Sequence, residues 1–407
     1  MEENKETLCP ICKSAQAFRL LNLDCGNLDP STLYSLVKIN ACEKCGHIYN
    51  DLSSEDITGL MKYYNEEYGP VNMSSTDKVG DRPGSTNSFT CKRHALLYDL
   101  VAPYIHKDSR ALDVGCAMGG FLDYLHQKGL TKLYGVDIIE DYVSYAKKKG
   151  IYTVKLGSAE SIPFDENSLD LVVVDQVVEH LVDPIQVFKE AKRVLAEDGL
   201  LCIGVPDASR YDKLYFFDFF WFLMREHIQH FDLEHLKLLA GLEGFEFVTH
   251  CEAETPMMSE KMILPNLNVV FRKTNKKGQL HTTENCFKLK KEMGQYIAND
   301  LGKLNRKKAL IKEFINSKKP LYAWGIGREF LYLYASAGLK NCNLIGLIDT
   351  NSLKQSTFSV EGKSIHDKII LKEAPANSAL LITAIAHTSP IKKVLFEMGY
   401  QGQIVEI

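Results

Sequence analysis

The chain has 407 residues, 45% of them hydrophobic and 25% charged, which is ordinary for a globular protein of about two or three domains. Its 48 Lys and Arg against 52 Asp and Glu give a formal net charge of −4, which argues against a polyanion binder. The polar start "MEENKETLCP" contains no secretory signal, and no apolar run reaches the roughly 20 residues of a membrane span. Seven of the eleven cysteines are scattered among apolar or helical segments, as reduced core thiols would be, so we expect a cytoplasmic protein.

Two closely spaced cysteine pairs come first in the chain. Their four members are Cys9, Cys12, Cys42 and Cys45. Four thiolates from two such pairs can meet at tetrahedral geometry around zinc, and because they leave no open position the metal is expected to be structural. Gly46 suits the tight turn after the second pair, while Cys25 and His47 are alternative ligands. We assign residues 1–55 to a zinc-binding module.

Strand-like and helix-like runs alternate from residue 90 to residue 272. The strand-like runs are "RALDVG", "KLYGVDI", "YTVKLG", "LDLVVVD" and "GLLCIGVP". The segments "DYVSYAKKKG" and "PIQVFKEAKRVLAEDG" have helical patterns. This alternation predicts an α/β fold, with a mostly parallel sheet covered by helices on both faces.

A glycine-containing loop follows the first of these strands. In "ALDVGCAMGGFLDYL", Asp113 ends the strand, Gly115 and Gly119 shape the loop, and a helix follows. Glycines allow the backbone to approach a ligand closely, and the N-terminus of a helix favours polar or anionic groups. Asp137 ends the next strand, where a carboxylate can accept both ribose hydroxyls of a nucleoside.

Two later segments extend this pattern. "GSAESIPF" brings Ser158, Ala159 and Glu160 to the position where the edge of an adenine would lie. "LDLVVVDQVVEHLVDP" then puts Asp175 at the end of a fourth strand.

The whole series resembles the class I S-adenosylmethionine-dependent methyltransferases, whose loop has the form D-x-G-x-G-x-G. Ala117 stands at the middle glycine here, a departure of one methyl group that indicates a slightly altered loop. The resemblance implies S-adenosylmethionine as the cofactor, with Asp137 on its ribose and the backbone of 158–160 near its adenine. It also implies that Asp175 lies near the methionine end.

The last third of the chain contains a basic stretch and then a second alternating region. Residues 272–319 hold 14 Lys and Arg against 4 Asp and Glu, with apolar residues at helical spacing. We interpret 273–319 as a basic linker followed by a helix. From 320 to 407, strand–helix alternation resumes in "LYAWGIG", "REFLYLYASAGL", "NLIGLID" and "ALLITAI", which predicts a smaller C-terminal Rossmann-like domain.

A zinc module, a central methyltransferase fold and a second Rossmann-like domain, in that order, resemble the sugar C-methyltransferases of deoxysugar and bacterial glycan pathways. In that family a nucleotide-linked 4-keto sugar loses a proton next to its ketone, and the resulting enolate takes the methyl group. The family's C-terminal signature is a glycine turn followed by a strand that ends in Asp-x-Asn and a lysine. The matching residues are Gly325, Gly327, Asp349, Asn351 and Lys354.

The same resemblance points to a sugar pocket around "FLMREHIQHF". Glu226 and His227 match the family's Glu-His pair, and His180 in "VVEHL" aligns with a second pocket histidine. An imidazole has a pKa near neutrality, which suits removal of a proton next to a ketone. The aromatic run "LYFFDFFWFLM" could exclude water from the resulting enolate.

Met224 departs from this family, which has a tyrosine two residues before the glutamate. Tyr64 or Tyr68 could supply a phenol instead, and C- and O-methylation both remain open. A structural interpretation of the segment also stands, in which Asp232 caps a helix and His227 only packs. His230 is a further candidate for the pocket.

Two other classes of function compete with sugar methylation. Zinc modules on methyltransferases also occur in ribosomal RNA base methyltransferases, which need a basic N-terminal surface. Residues 1–100 hold 10 Lys and Arg against 14 Asp and Glu, so nucleic acid is not the expected partner. A non-enzymatic nucleotide-binding scaffold is the third alternative. The sequence does not indicate the oligomeric state.

Overall fold

The structure is a computed structural model that describes residues 8–26, 31–68, 88–213, 220–256 and 263–407. The chain divides into two compact units. Unit 1 comprises Met1–Asn22, Ser31–Phe216 and Phe222–Tyr296; unit 2 comprises Leu23–Pro30, Phe217–Trp221 and Ile297–Ile407. Most of the aromatic run expected to exclude water, residues 214–219, lies outside the described residues.

The strands are β1 (Ala17–Asp24), β2 (Leu36–Cys42), β3 (Ile48–Asn50), β4 (Arg110–Val114), β5 (Lys132–Asp137), β6 (Thr153–Leu156), β7 (Leu169–Asp175), β8 (Leu195–Pro206), β9 (Gln229–His230), β10 (Phe245–Pro256), β11 (Ile263–Lys273), β12 (Leu321–Trp324), β13 (Leu344–Ile348), β14 (Ser359–Val360), β15 (Lys363–His366), β16 (Ala379–Ile382) and β17 (Gln403–Glu406). The helices are α1 (Ser54–Lys62), α2 (Ser88–Val101), α3 (Gly120–Gln127), α4 (Glu140–Lys147), α5 (Pro184–Val194), α6 (Leu233–Glu243), α7 (Lys288–Ser317), α8 (Arg328–Ser336), α9 (Ser352–Thr357) and α10 (Thr388–Glu397).

Unit 1 is built on a seven-stranded sheet in the order β10-β11-β8-β7-β4-β5-β6. The strands from β4 to β8 pair in parallel, whereas β10 and β11 are antiparallel. In β7, Val172 and Val174 pack on the side of α5 and α6, while Leu171 and Val173 pack on the side of α2, α3 and α4. Burial on both faces explains the unbroken apolar run, and the predicted parallel α/β fold is confirmed.

Local sequence explains where α5 begins and which face it buries. Asp183 accepts a hydrogen bond from the Ile185 N–H at 3.3 Å, and Pro184 occupies the first turn, where its missing N–H does no harm. Val187, Phe188 and the later apolar residues at helical spacing then form one buried face against the sheet.

The N-terminal region shares a sheet with a segment far along the chain. Its strands have the order β1-β2-β3-β9, and β9 comes from the "REHIQHF" loop. Ile48 pairs with His230, and Tyr49 pairs with Gln229. The strands of the predicted zinc-binding region therefore contact the candidate pocket segment directly.

Unit 2 has its own sheet, in the order β14-β15-β13-β12-β16-β17. The strands β15, β13, β12, β16 and β17 are parallel, and β14 is antiparallel at one edge. The expected helix after the basic linker is present as α7, and the division between the units falls within it, after Tyr296. None of the described helices combines the length and apolarity needed to cross a membrane.

Candidate active site

The loop after β4 is shaped by residues in the left-handed region of backbone space. Gly115 has φ 77°, and an added Cβ would lie 2.4 Å from Val177. Gly119 has φ 78°, and its added Cβ would meet the Tyr152 hydroxyl at 2.2 Å. Ala117 also has a positive φ, 44°, so the residue replacing the family glycine adopts a glycine-like conformation. The altered loop expected from the sequence therefore keeps a glycine-like backbone, with some strain at one alanine.

Asp137 ends β5 and holds this loop in place. One carboxylate oxygen accepts the Ala117 N–H at 2.8 Å, and the other accepts the Ile139 N–H at 2.9 Å. A carboxylate has about four acceptor positions, so both oxygens can still accept from a ribose diol. Burial raises the pKa of Asp137, although its backbone hydrogen bonds act in the opposite direction.

Asp113 and Asp175 lie close to Asp137 at the carboxyl edge of the sheet. Burial, together with the charges of Asp175 and Asp137, raises the pKa of Asp113 to about 8. Arg93, from α2, places its Nε 2.9 Å from an Asp175 oxygen and offsets part of this negative charge. Sequence reasoning missed Arg93, because a single cation on a helix carries no pattern that identifies its partner.

The predicted adenine segment lies directly beyond β6. The Gly157 N–H donates to the Asp137 carbonyl at 3.0 Å, which joins this segment to the end of β5. Ser158 and Ser161 form an isolated bridge, so the backbone between them turns tightly. Ala159 is buried and the Glu160 side chain is exposed, so this segment offers mainly its backbone and the Ala159 methyl group.

His180 is held in one tautomer by its neighbours. Its Nδ1 lies 2.9 Å from the Glu226 carbonyl oxygen and 2.9 Å from the Tyr64 hydroxyl. Because a carbonyl can only accept, Nδ1 must donate, which leaves the lone pair of the neutral ring on Nε2. Burial lowers the pKa of His180, so the ring is neutral at pH 7.

His227 packs against His180, with ring centroids 4.9 Å apart. Its Nδ1 lies 3.3 Å from the Phe222 carbonyl oxygen, and the same reasoning leaves the lone pair of the neutral ring on Nε2. The two histidines predicted for the pocket are therefore adjacent, and each is positioned by a backbone carbonyl.

Glu179 completes this cluster. It is only 2% exposed, and neither carboxyl oxygen has a hydrogen-bond partner among the described residues. Burial raises its pKa to about 8, so the carboxyl group is protonated at pH 7. Its Oε1 lies 3.9 Å from the His180 Nε2, and one ligand atom from each of Glu179, His180 and His227 falls within 4.8 Å of the others. Such a set can relay a proton or hold a divalent cation.

Three tyrosines from the N-terminal region border the cluster. Tyr63 and Tyr64 lie on a π-helical turn after α1, a geometry often found at functional sites, and Tyr68 follows this turn directly. The Tyr63 hydroxyl lies 3.4 Å from a Glu226 carboxylate oxygen, and Tyr64 contacts His180. A phenol does therefore reach the pocket from the N-terminal side, and Tyr64 supplies it.

The "REHIQHF" loop is held by the N-terminal strands through backbone atoms. The Asn50 N–H donates to the Ile228 carbonyl at 2.8 Å, and the Tyr34 hydroxyl donates to the Arg225 carbonyl at 2.5 Å. His230 lies in β9, fully buried, with its Nε2 3.2 Å from the Asn50 side chain. These contacts indicate a structural role for His230 and do not place it beside His180 and His227.

The end of the same segment forms a helix cap. Asp232 is the N-cap of α6, and its side chain accepts the His235 N–H at 2.9 Å. Asp232 therefore caps a helix, as the structural interpretation predicted. His227 nevertheless lies against His180, so its part of the segment still fits the pocket interpretation.

The four predicted zinc cysteines meet in one cluster. The Sγ atoms of Cys9 and Cys45 are 3.6 Å apart, those of Cys12 and Cys42 are 3.5 Å apart, and all four lie within 4.8 Å of one another. Tetrahedral Zn–S bonds of about 2.3 Å require S···S distances of about 3.8 Å, so the geometry fits zinc. Neither Cys25 nor His47 belongs to this cluster.

Residues 112–203, from β4 to β8, match the family described as "Methyltransferase domain". An uncharacterized methyltransferase from Schizosaccharomyces pombe is 33% identical over 131 residues, which cover 28% of this chain and 46% of the relative. The demethylmenaquinone methyltransferase of Geobacillus stearothermophilus is 31% identical over 131 residues, 30% of this chain and 56% of the relative. The chain thus spans about half the length of these curated relatives.

Part of the chain is also similar to solved structures. A methyltransferase dependent on S-adenosylmethionine from Methanosarcina mazei has 21% identity and a TM-score of 0.37, covering 44% of this chain and 98% of its own. A possible histamine N-methyltransferase from Thermotoga maritima has 22% identity and a TM-score of 0.36, covering 45% and 89%. The family match assigns a methyltransferase domain to residues 112–203.

Proposed function

We propose that the chain is an S-adenosylmethionine-dependent methyltransferase that methylates a nucleotide-linked keto sugar at carbon. The observation that carries this proposal is the pair of adjacent imidazoles, His180 and His227, beside the protonated carboxyl group of Glu179. Methyl transfer to carbon needs a base that removes a proton next to a ketone and an acid that stabilises the enolate oxygen. The cluster contains both kinds of group.

The roles follow from the hydrogen bonds. The His227 Nε2 takes the proton from the carbon next to the ketone, and the electron pair of that C–H bond moves towards the carbonyl oxygen. The Glu179 carboxyl group donates a hydrogen bond to this oxygen as negative charge develops. His180 is a positioning residue, and Glu226 accepts from a sugar hydroxyl. The single Nδ1–H of His180 donates to the Glu226 carbonyl, so the neighbouring Tyr64 hydroxyl cannot donate to that nitrogen and donates to the substrate instead.

The donor is S-adenosylmethionine, which supplies an electrophilic methyl group when bound. The loop after β4 would hold it. Gly115 and Gly119 keep this loop's close packing possible, because an added Cβ would collide with Val177 at the first position and with Tyr152 at the second. Asp137 would accept from the ribose, Ala159 and Glu160 would border the adenine, and Asp113 and Asp175 would face the methionine end. The domain match at residues 112–203 supports this donor.

One structural zinc ion would be held by the four-cysteine cluster of Cys9, Cys12, Cys42 and Cys45. The ion would join the first cysteine pair to the second. The paired Sγ distances of 3.5 and 3.6 Å support this assignment. Four thiolate ligands leave no position for substrate, so its role is to hold β2 and β3 in place.

A second candidate is metal-dependent O-methylation. It is favoured by the three ligand atoms of Glu179, His180 and His227, which lie within 4.8 Å of one another. A divalent cation there would lower the pKa of a bound hydroxyl group rather than that of a carbon acid.

The proposal is tested by incubating the full chain with S-adenosylmethionine and a panel of nucleotide-linked 4-keto and 4-hydroxy sugars. We expect a gain of one methyl group, read by mass, with the keto sugars only, and full activity after dialysis against a chelator too weak to remove zinc from four thiolates. Asp137→Ala is the donor-site control and should weaken S-adenosylmethionine binding by about 1.5–3 kcal/mol. Methylation of hydroxy sugars alone, abolished by the chelator, would select the O-methylation alternative.

A further inference from the structure

One packed group of three tyrosines lies between the loop after β4 and the histidine cluster of unit 1. The rings of Tyr63, Tyr64 and Tyr68 contact one another, with centroids 5.4 to 5.9 Å apart. These residues belong to the tyrosine turn, residues 63–68. Because each ring touches the other two, a displacement of one ring affects the whole group.

Hydrogen bonds to Thr32 fix the tyrosine turn to the N-terminal region. The Thr32 N–H donates to a Glu67 carboxylate oxygen at 3.0 Å, and the Thr32 hydroxyl donates to the Gly59 carbonyl at 2.9 Å. Thr32 thus anchors both α1 and the turn that follows it.

Tyr68 is on the donor side of the tyrosine group. It packs against a buried apolar cluster, whose members are Ala117, Met118, Ile139 and Tyr142. Ala117 belongs to the loop after β4, and the Asp137 carboxylate accepts the N–H groups of both Ala117 and Ile139. Two of the residues against Tyr68 are therefore held by the carboxylate that we assign to the ribose.

Tyr63 and Tyr64 are on the acceptor side. The Tyr64 hydroxyl lies 2.9 Å from the His180 Nδ1, and the Tyr63 hydroxyl lies 3.4 Å from a Glu226 carboxylate oxygen. The same group of rings thus touches the loop after β4 at one end and two residues of the proposed sugar pocket at the other.

The charges around Tyr68 support this placement. Burial, together with the charges of Asp137 and Glu226, raises the pKa of Tyr68 to about 12. One of these carboxylates belongs to the donor site and the other to the acceptor pocket, so the neutral phenol lies in the field of both.

We propose that Tyr68 is a positioning residue through which occupancy of the donor site tightens binding of the acceptor. A bound S-adenosyl ligand holds the loop after β4 still, and with it the surface on which the Tyr68 ring packs. The rings of Tyr63 and Tyr64 are then ordered before the acceptor arrives, so acceptor binding loses less conformational entropy. The identity of the acceptor rests on the proposed function, whereas the coupling can be measured without an acceptor.

Amide exchange in the full chain tests the coupling with the donor product alone. S-adenosylhomocysteine should slow exchange in residues 225–231 by a factor of about 5 or more, the lower end of the usual coupling between two ligand sites. These residues carry Glu226 and are distant in sequence from the loop after β4. Unchanged exchange in the native chain at saturating S-adenosylhomocysteine would overturn the proposal.

Substitutions of Tyr68 test the route. Tyr68→Ala should still bind S-adenosylhomocysteine but lose the protection of residues 225–231, whereas Tyr68→Phe, which keeps the ring, should retain it. Tyr68→Leu keeps apolar volume without the ring contacts, so it should also lose the protection, and it replaces Tyr68→Ala if that variant does not fold.

Tyr145→Ala is the matched control. Tyr145 packs against the same apolar cluster as Tyr68, and none of the ring contacts among the described residues joins it to the tyrosine turn. This variant should therefore retain the protection of residues 225–231.

A second set of contacts offers a competing route. An added Cβ at Gly115 would lie 2.4 Å from Val177, so the loop after β4 also touches the segment that leads to Glu179. The Ile228 N–H donates to the Glu179 carbonyl at 2.7 Å. Protection of residues 225–231 that persists in Tyr68→Ala and Tyr68→Leu would assign the coupling to this route and overturn the role of Tyr68.

Binding of a nucleotide-linked 4-keto sugar is the second readout. With S-adenosylhomocysteine bound, its Kd should be at least about 5-fold lower in the native chain and in Tyr68→Phe, and unchanged in Tyr68→Ala. If no keto sugar binds but S-adenosylhomocysteine protects residues 225–231 through Tyr68, the inference stands and the proposed function fails. Methylation of a keto sugar without any coupling would leave the proposed function and remove the inference.

Discussion

Glu179 is the residue on which the chemistry of the candidate site depends most. Most buried carboxylates are neutralised by a cation or by hydrogen bonds, and this one has no hydrogen-bond partner among the described residues. A carboxyl group in that environment keeps its proton at pH 7, as its pKa of about 8 indicates. It can therefore donate a hydrogen bond, which an ionised glutamate cannot do.

The pH dependence of Glu179→Gln tests this role. In the native chain turnover should fall as the pH rises through about 8, because the carboxyl group loses the proton that it donates. Glutamine has no such titration and can still donate through its amide, so the variant should retain activity and lose this alkaline limb. Glu166→Gln, at an exposed carboxylate, is the matched control and should keep the native profile. An unchanged profile in Glu179→Gln would exclude Glu179 as the acid.

Stability gives an independent measure of the same pKa. Because the folded pKa of Glu179 lies above its ordinary value of 4.5, the native state holds the proton over a pH range in which the unfolded state has lost it. The free energy of unfolding should then decrease by about 1.4 kcal/mol per pH unit between about pH 5 and pH 8 for each such group. Asp113, Asp137 and Asp175 contribute in the same direction. The buried His47, His94 and His230, whose pKa values burial lowers, act in the opposite direction below about pH 6.5. Glu179→Gln should therefore make the slope less negative by up to about 1.4 kcal/mol per pH unit without abolishing the pH dependence.

The sequence predicted some site residues and missed others for physical reasons. Asp113, Gly115, Gly119 and Asp137 lie in one strand–loop–strand unit, so local spacing is enough to place them. Nothing in the local sequence "VVEHL" marks Glu179, because the burial that raises its pKa comes from distant segments. Arg93 likewise acquires its partner, Asp175, only when α2 packs on the sheet.

At the scale of elements, the short strand β9 connects two regions that the sequence presents as separate. Gln229 pairs with Tyr49 in β3, and the Gln229 side chain lies 2.9 Å from the His47 Nε2. The β2–β3 turn carries the second cysteine pair, with the Cys42 N–H donating to the His47 carbonyl at 2.8 Å. A zinc ion at the cysteines would thus stabilise the hairpin that positions Glu226 and His227.

Cys42→Ser tests this connection. The variant should lose the roughly one zinc per chain that metal analysis of the native protein returns. Amide exchange in residues 225–231 should become faster, and turnover should fall by up to about a hundredfold, because a misplacement of 1 Å can have that effect. Binding of S-adenosylmethionine should change little, since the loop after β4 is held by Asp137.

Cys251→Ser, at a half-buried cysteine outside the cluster, is the control and should retain zinc and activity. Native protein without zinc would contradict the metal assignment. Loss of zinc with unchanged turnover and unchanged exchange in 225–231 would contradict the positioning role.

At the scale of the whole molecule, both units place an aspartate at the end of the strand that follows the first glycine loop. Asp137 holds the Ala117 N–H, and Asp349 holds the Ile326 N–H. The alternation of strands and helices predicted both parallel sheets, because that signal is local. It did not predict β9 or the four-stranded sheet, because a two-residue strand has no periodicity and its partner is about 180 residues away.

The central claim is that the histidine cluster removes a proton from carbon, and the most direct measurement is exchange of that proton in D₂O. The full chain is incubated with a nucleotide-linked 4-keto sugar and S-adenosylhomocysteine, so that no methyl transfer can occur. The native chain should incorporate deuterium next to the ketone, and His227→Ala should slow this exchange by about 10²–10⁴ while S-adenosylhomocysteine binds as before. Exchange that survives in His227→Ala but is lost in His180→Ala would move the base to His180. If the native chain exchanges no proton in any keto sugar that it binds, C-methylation is contradicted.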